Sequence, residues 1–147
     1  MKSPRMDLVE AVAECLRIIA TPDFNTDAGQ WVTTEPKQVD DEAPGVLAVV
    51  FERQSRPTDP AIRRTHRNTT IAVILKLPHD QDEAQATLDL AIADVELAME
   101  NRQNKFPVGT SFPEYIEMLP IPAEKGMGWI GALLRYESNV PAVRRTP

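Results

Sequence analysis

The residues of this chain best suited to a chemical role are five arginines in one short stretch: Arg53, Arg56, Arg63, Arg64 and Arg67. A guanidinium group presents planar pairs of N–H donors that suit phosphate and carboxylate oxygens. The stretch holds a single acidic residue, Asp59, although the whole chain has a formal net charge of −6. Such local positive charge indicates a recognition surface. For this stretch, docking on an acidic protein surface is favoured, because the rest of the chain is acidic and repels polyanions. The alternatives are that it binds nucleic acid or that it is a solvated loop.

Catalytic and metal-binding patterns do not emerge from the remaining polar residues. Cys15 lies on the apolar side of a helical pattern and is expected to be a packed thiol. His66 and His79, the two histidines, are expected to be surface or hydrogen-bonded groups, too few for a zinc site. The acidic run 40–42 is typical of a solvated loop, and Gly126 and Gly128 of a turn. We therefore predict no catalytic residue, no cofactor, no metal site and no enzymatic activity.

Composition narrows the class of protein further. The 147 residues suit one domain, and aromatic residues make up 5%, which disfavours a stacking platform for nucleic acid. No apolar run is long enough to span a membrane, and charged residues interrupt the N-terminal stretch where a signal peptide would be apolar. The single cysteine excludes an internal disulfide, which is compatible with an intracellular setting.

The elements that position the arginines follow from hydrophobic periodicity. Ser3 is expected to cap a helix over 4–20, and Asp80 or Asp82 to cap a second helix that ends near 103. Strands are predicted over 30–35, 45–52 (in the centre of the sheet), 69–77, 114–121 and 128–137. Residues 53–68 then form an extended basic arm of a long β-hairpin, and 139–147 a flexible tail. The predicted fold is a single α+β domain over 1–138, with a mixed or antiparallel sheet and both helices packed on one face.

The second helix carries an apolar seam outside its core stripe. Seven acidic residues and no basic one occur over 78–101, in two bands beside the seam. A continuous apolar seam between carboxylates favours a subunit interface, although isolated surface leucines are also common. The predicted interface residues are Ala86, Leu90, Ala93 and Leu97.

This order of elements resembles the tail terminator proteins of long-tailed bacteriophages, of the lambda minor tail protein U type. The resemblance spans roughly residues 7–136. It rests on the N-terminal helix, the charged hairpin, the helix over 88–99 and the terminal strand over 129–136, which reads Trp-Ile-Gly-Ala-Leu-Leu-Arg-Tyr. The family has no diagnostic catalytic or ligand motif, so no functional residue is carried over.

The resemblance implies a structural virion protein that forms a ring, typically a hexamer, on the tail tube. Such a ring ends tube polymerisation and offers a head-joining surface at the head-proximal end of the tail. The implied partners are further copies of the chain, the tail tube protein and a head-completion or connector protein. DNA would pass through without sequence-specific binding, and assembly would occur in the host cytoplasm. A small α+β ligand-binding or regulatory module, which should show a pocket with convergent polar groups, is the alternative.

Overall fold

The computed structural model describes residues 2–35, 45–78, 83–122 and 128–142, which form one sheet and two α-helices. This architecture confirms the predicted α+β class. A short 3-10 helix, Ala28–Trp31, precedes the first strand. The elements in chain order are α1 (Pro4–Arg17), β1 (Val32–Thr33), β2 (Val46–Ser55), β3 (His66–Pro78), α2 (Ala84–Met99), β4 (Glu114–Ile121) and β5 (Trp129–Pro141).

The sheet is mixed, with strand order β1-β2-β3-β5-β4. Only β1 and β2 pair in parallel; the other neighbours are antiparallel. The long strand β3 is the middle one, and β2 is an inner strand that pairs with β1 on one side and β3 on the other, as expected of a strand inside the sheet. The nearly continuous apolar run of β2 fits burial on both faces, because Val46 and Ala48 are buried on the side of the sheet that carries no helix and Leu47 on the helical side.

Both helices pack on the same face of the sheet. Alternate residues of the three long strands, such as Leu47, Leu75 and Leu134, are fully buried in one hydrophobic cluster with the apolar sides of α1 and α2. Ser3 caps α1 as predicted, since its hydroxyl accepts a hydrogen bond from the Met6 N–H at 3.3 Å. The core therefore lies between one helical layer and one sheet layer.

No helix of the described residues covers the opposite face of the sheet. A row of apolar side chains crosses it from Ala48 through Ile74 and Leu133 to Leu119, which is 43% exposed. Next to that row, Arg135 donates hydrogen bonds to Glu52 at 2.8 Å and to Glu117 at 2.9 Å. This ion ladder ties β2, β5 and β4 together across the open face.

Several predicted boundaries were displaced. The strands β2 and β3 extend into the predicted arm, because Arg53, Gln54 and Ser55 pair with β3 after a bulge. The connection between them is therefore 56–65 rather than 53–68. The helix α1 ends at Arg17 rather than at residue 20, and α2 ends at Met99 rather than near 103.

The short first strand and the last strand also differ from expectation. Only Val32–Thr33 of the predicted strand 30–35 is extended, because the residues before it form the 3-10 helix. The strand β5 continues to Pro141, beyond the predicted start of a tail at 139, because it pairs with the full length of β3. The acidic run 40–42, His79, the caps Asp80 and Asp82, Gly126 and the chain from 143 onward lie outside the described residues.

Candidate functional site

The β2–β3 connection is a folded turn rather than a featureless loop. The Asp59 side chain accepts a hydrogen bond from the Ala61 N–H at 3.0 Å, and the Ile62 carbonyl accepts one from His66 N–H at 2.9 Å. The Ala142 N–H donates to the Thr65 carbonyl at 2.8 Å, so the end of β5 fastens the turn to the domain. Residues 56–65, which we call the basic turn, are thus held in one position.

The five predicted arginines do not share one role. Arg53, Arg56, Arg63 and Arg64 are exposed. Arg67 is half-buried, and its guanidinium donates to the His66 carbonyl at 2.8 Å and to the Arg63 carbonyl at 3.3 Å. Arg67 therefore braces the basic turn from inside, while the others present charge to solvent.

A groove of about 660 Å³ lies beside the basic turn. Sequence reasoning missed it, because its walls come from segments far apart in the chain. Its walls are largely apolar, and Arg64, His66 and Asp7 bring charge or polarity to its rim. The apolar lining, which we call the proline groove, consists of Pro4, Pro107, Val108, Gly109 and Pro141. Val108 is 99% exposed, so this apolar surface is open to a partner.

The predicted interface seam of α2 is exposed along its length. Leu90 is 42% exposed and Leu97 is 61% exposed, while Ala86 and Ala93 between and beside them are also exposed. The other side of α2 is buried, with Leu88, Val95 and Met99 in the core. The helical phase is therefore as predicted, and no residue of the seam supports the monomer core.

Carboxylates border this seam on one side. Asp89, Glu96 and Glu100 follow one another at spacings of seven and four residues, so they share one stripe of the helix. No basic residue occurs over 83–100. On the other side of the seam, Asp94 is only 1% exposed, so it does not belong to an exposed acidic band.

Asp94 instead holds a segment that precedes β1. Its Oδ1 accepts hydrogen bonds from the Asn25 N–H at 3.0 Å and the Asn25 side-chain amide at 3.1 Å. Its Oδ2 accepts from the Thr26 N–H at 2.8 Å and the Thr26 hydroxyl at 2.7 Å. We call this arrangement the Asp94 clasp. Nothing in the local sequence signals it, because its partners lie 68 and 69 residues away.

The remaining candidate groups make local contacts. The His66 Nδ1 lies 2.8 Å from the Thr65 hydroxyl, which places this histidine in the turn's own hydrogen bonding. Cys15 is 7% exposed, and burial raises the pKa of its thiol to about 11, so it is a packed group as predicted. Burial, followed by the neighbouring Glu96, raises the pKa of Tyr115.

Two kinds of site were not found in the described part of the chain. Within 2–35, 45–78, 83–122 and 128–142, no three His, Cys, Asp or Glu side chains come together as metal ligands would. In the same ranges, neither helix has the length and apolar character needed to cross a membrane.

Comparison with known proteins identifies a shared fold. No protein-family model matches the chain, and no curated protein sequence matches it. A chain of a solved structure described as the virion of a native gene transfer agent particle is similar to it, with a TM-score of 0.58. The two chains are 16% identical, and the match covers 92% of this chain and 95% of the other. At that identity, the likeness shows that the two chains share a fold over nearly the whole length of each.

Proposed function

We propose that this protein is a structural component of a phage-type virion, and that within it the protein is the tail terminator. The observation that carries the proposal is the full-length overlap with a virion chain of a gene transfer agent particle. A fold alone does not specify function, since one fold can serve many functions. The order of elements, which resembles the tail terminator family, supports the same role independently.

In this role the protein is a ring on the end of the tail tube, with a hexamer as the expected form. The exposed seam of α2 supports contact between subunits, because an apolar stripe beside carboxylates contributes nothing to the monomer core. The exposed arginines of the basic turn support docking on an acidic partner. The tail tube protein and a head-completion or connector protein are the further partners.

The remaining properties of the proposed role follow from charge and location. A ring of acidic subunits around a DNA path lets DNA slide, because its negative charge does not bind the DNA phosphates. The protein is placed at the head-proximal end of the tail, after assembly in the host cytoplasm. The proposed function is structural rather than enzymatic.

Deletion of the gene from its phage tests the proposal. A tube grows because each added ring presents the same binding face again, and a terminator ends growth by failing to reproduce that face. Without the protein, we expect tails of abnormal length that do not join heads. Electron microscopy measures the lengths, and addition of purified protein should restore joining. Normal tails and infectious particles from the deletion phage would refute the proposal.

The proline groove favours one alternative, a small ligand-binding module. Its volume of about 660 Å³ is within the range of small-molecule sites, and Asp7, Arg64 and His66 lie on its rim. This alternative predicts normal tails in the deletion phage. It also predicts that a small molecule from host extract raises the melting temperature of the wild-type protein but not of Val108→Asp.

A further inference from the structure

Two surfaces of this chain are complementary in charge and in apolar character. The proline groove is largely apolar and has Arg64 and Asp7 in its lining, with the exposed Arg63 next to Arg64 in the basic turn. The seam of α2 is apolar along its middle and has Asp89, Glu96 and Glu100 along its border. One surface is an apolar groove beside the basic turn, and the other is an apolar helix face bordered by carboxylates.

We propose that α2 of one copy of this chain docks in the proline groove of a second copy. Leu90 and Leu97 enter the apolar part, and the carboxylates along the border of the seam face the exposed arginines of the neighbour's basic turn. An amphipathic helix in an apolar groove is a recurrent mode of protein recognition. The inference rests on the proposed function in one respect, since it assigns the contact by which the ring forms.

The groove has room for the two leucine side chains. Leu90 and Leu97 are about 10 Å apart along the helix axis, and Asp89 and Glu100 about 16 Å apart, at 1.5 Å per residue. Side chains of this size suit a groove of about 660 Å³. The groove is also preformed, because hydrogen bonds hold the basic turn in place, including that from Ala142 N–H to the Thr65 carbonyl. A preformed groove lowers the entropic cost of docking.

The occupant is a second copy because the acidic partner that the arginines require is present on the chain itself. The seam lies on α2, while the proline groove is formed by the basic turn, the start of α1 and the loop after α2. The contact therefore joins two different surfaces. Each docking event leaves one groove and one seam free, so contacts of this kind repeat and close only as a ring.

Charge reversal tests the contact. One variant carries Arg63→Glu and Arg64→Glu, and the other carries Asp89→Arg and Glu100→Arg. All four side chains are exposed, so both variants should keep the circular dichroism of the wild type. We expect each to weaken self-association by at least about tenfold, because like charges then face each other. Sedimentation velocity over a concentration series measures this.

Two further samples separate this contact from others. In an equimolar mixture, the intact seam of the first variant meets the intact groove of the second, and the reversed groove of the first meets the reversed seam of the second, so association should be restored. A chain with all four reversals should associate again, because both surfaces have exchanged charge. A control with Glu35→Arg and Glu114→Arg makes the same change in net charge as the second variant, at exposed positions outside α2, and should associate like the wild type.

A cysteine pair gives a second readout. With Ala93→Cys in the seam and Val108→Cys in the groove, mild oxidation should link copies into covalent multimers. Either single substitution should leave chains without covalent links, because two seams do not meet each other and two grooves do not meet each other. The native Cys15 should remain unlinked, since it is buried.

Three outcomes would overturn the inference: reversal variants that associate like the wild type, a mixture that associates no better than either variant alone, or a wild-type chain that stays monomeric at every concentration. These outcomes are distinct from failure of the proposed function. If the reversals have no effect and the deletion phage still makes abnormal tails, only the docking mode is wrong. If the reversals act as expected and the deletion phage is normal, the chain self-associates for another purpose.

Discussion

At the scale of single residues, the Asp94 clasp is the most demanding arrangement in the molecule. One buried carboxylate receives four hydrogen bonds from Asn25 and Thr26, two of them from backbone N–H groups. A buried charge is tolerated only where donors surround it in this way. The same residue looked like one of several surface carboxylates in the sequence, because its burial depends on a segment from a distant part of the chain.

Replacement of Asp94 should therefore destabilise the fold. In Asp94→Ala, the N–H groups of Asn25 and Thr26 lose their acceptors, and we expect the free energy of unfolding to fall by on the order of 3 kcal/mol. Urea unfolding followed by circular dichroism measures the loss. The matched control is Asp89→Ala on the exposed side of the same helix, which should change stability by less than about 0.5 kcal/mol. Equal effects of the two substitutions would contradict the clasp.

Cys15 links stability to alkaline pH. Burial raises the pKa of its thiol from the ordinary value of 9.0 to about 11, so the unfolded chain loses this proton first as pH rises. The contribution of the Cys15 thiol to the free energy of unfolding is constant below about pH 9 and declines toward pH 11, by up to about 1.4 kcal/mol per pH unit. The free energy of unfolding, measured from pH 8 to 11, should fall more steeply for the wild type than for Cys15→Ala. Parallel curves for the two proteins would refute this assignment.

At the scale of elements, hydrophobic periodicity predicted the regular parts of the helices and strands. It missed the strand ends that depend on tertiary contacts. The strand β4 has the predicted bounds, and the phase of α2 placed Leu90 and Leu97 outside correctly. The ends of β2 and β3 near the basic turn were missed, because their residues are polar and show no apolar alternation. Cross-strand pairing, such as that of Gln54 with Thr69, orders them instead.

Gly131 in β5 lies where an added side chain would meet the neighbouring strand. A Cβ atom there would lie 2.3 Å from the Leu75 carbonyl oxygen of the neighbouring strand and 3.0 Å from the Trp129 ring. Because backbone cannot yield cheaply, Gly131→Ala should lower the free energy of unfolding by about 2–4 kcal/mol. Gly128→Ala is the matched control, since nothing lies within 4 Å of its added carbon. Thermal unfolding of the two variants decides the matter; a neutral Gly131→Ala would mean that the strands can separate locally.

At the scale of the whole molecule, opposite charges occupy different regions. The net charge is −6, yet the exposed side chains of the basic turn include Arg56, Arg63 and Arg64. Such segregation steers one protein surface toward another and sets their orientation. This segregation of charge is not sufficient for nucleic-acid binding, because the remaining acidic surface repels phosphate.

We therefore expect no appreciable binding of duplex DNA. At physiological salt, fluorescence anisotropy with a labelled duplex should give a dissociation constant weaker than about 10⁻⁴ M, the weak limit of non-specific DNA binding. Replacement of Arg63 and Arg64 by serine should leave this result unchanged. Micromolar binding that weakens with added salt and disappears in that variant would assign the basic turn to nucleic acid instead.

The Asp94 clasp also imposes an order in time. Asn25 leaves the ribosome 69 residues before the carboxylate that must hold it. At about 5–20 residues per second, synthesis of that interval takes on the order of 3 to 14 s. Through those seconds, the N–H groups of Asn25 and Thr26 lack their native acceptor. The N-terminal part of this chain must therefore wait for α2, and the domain completes its fold only late in its own synthesis.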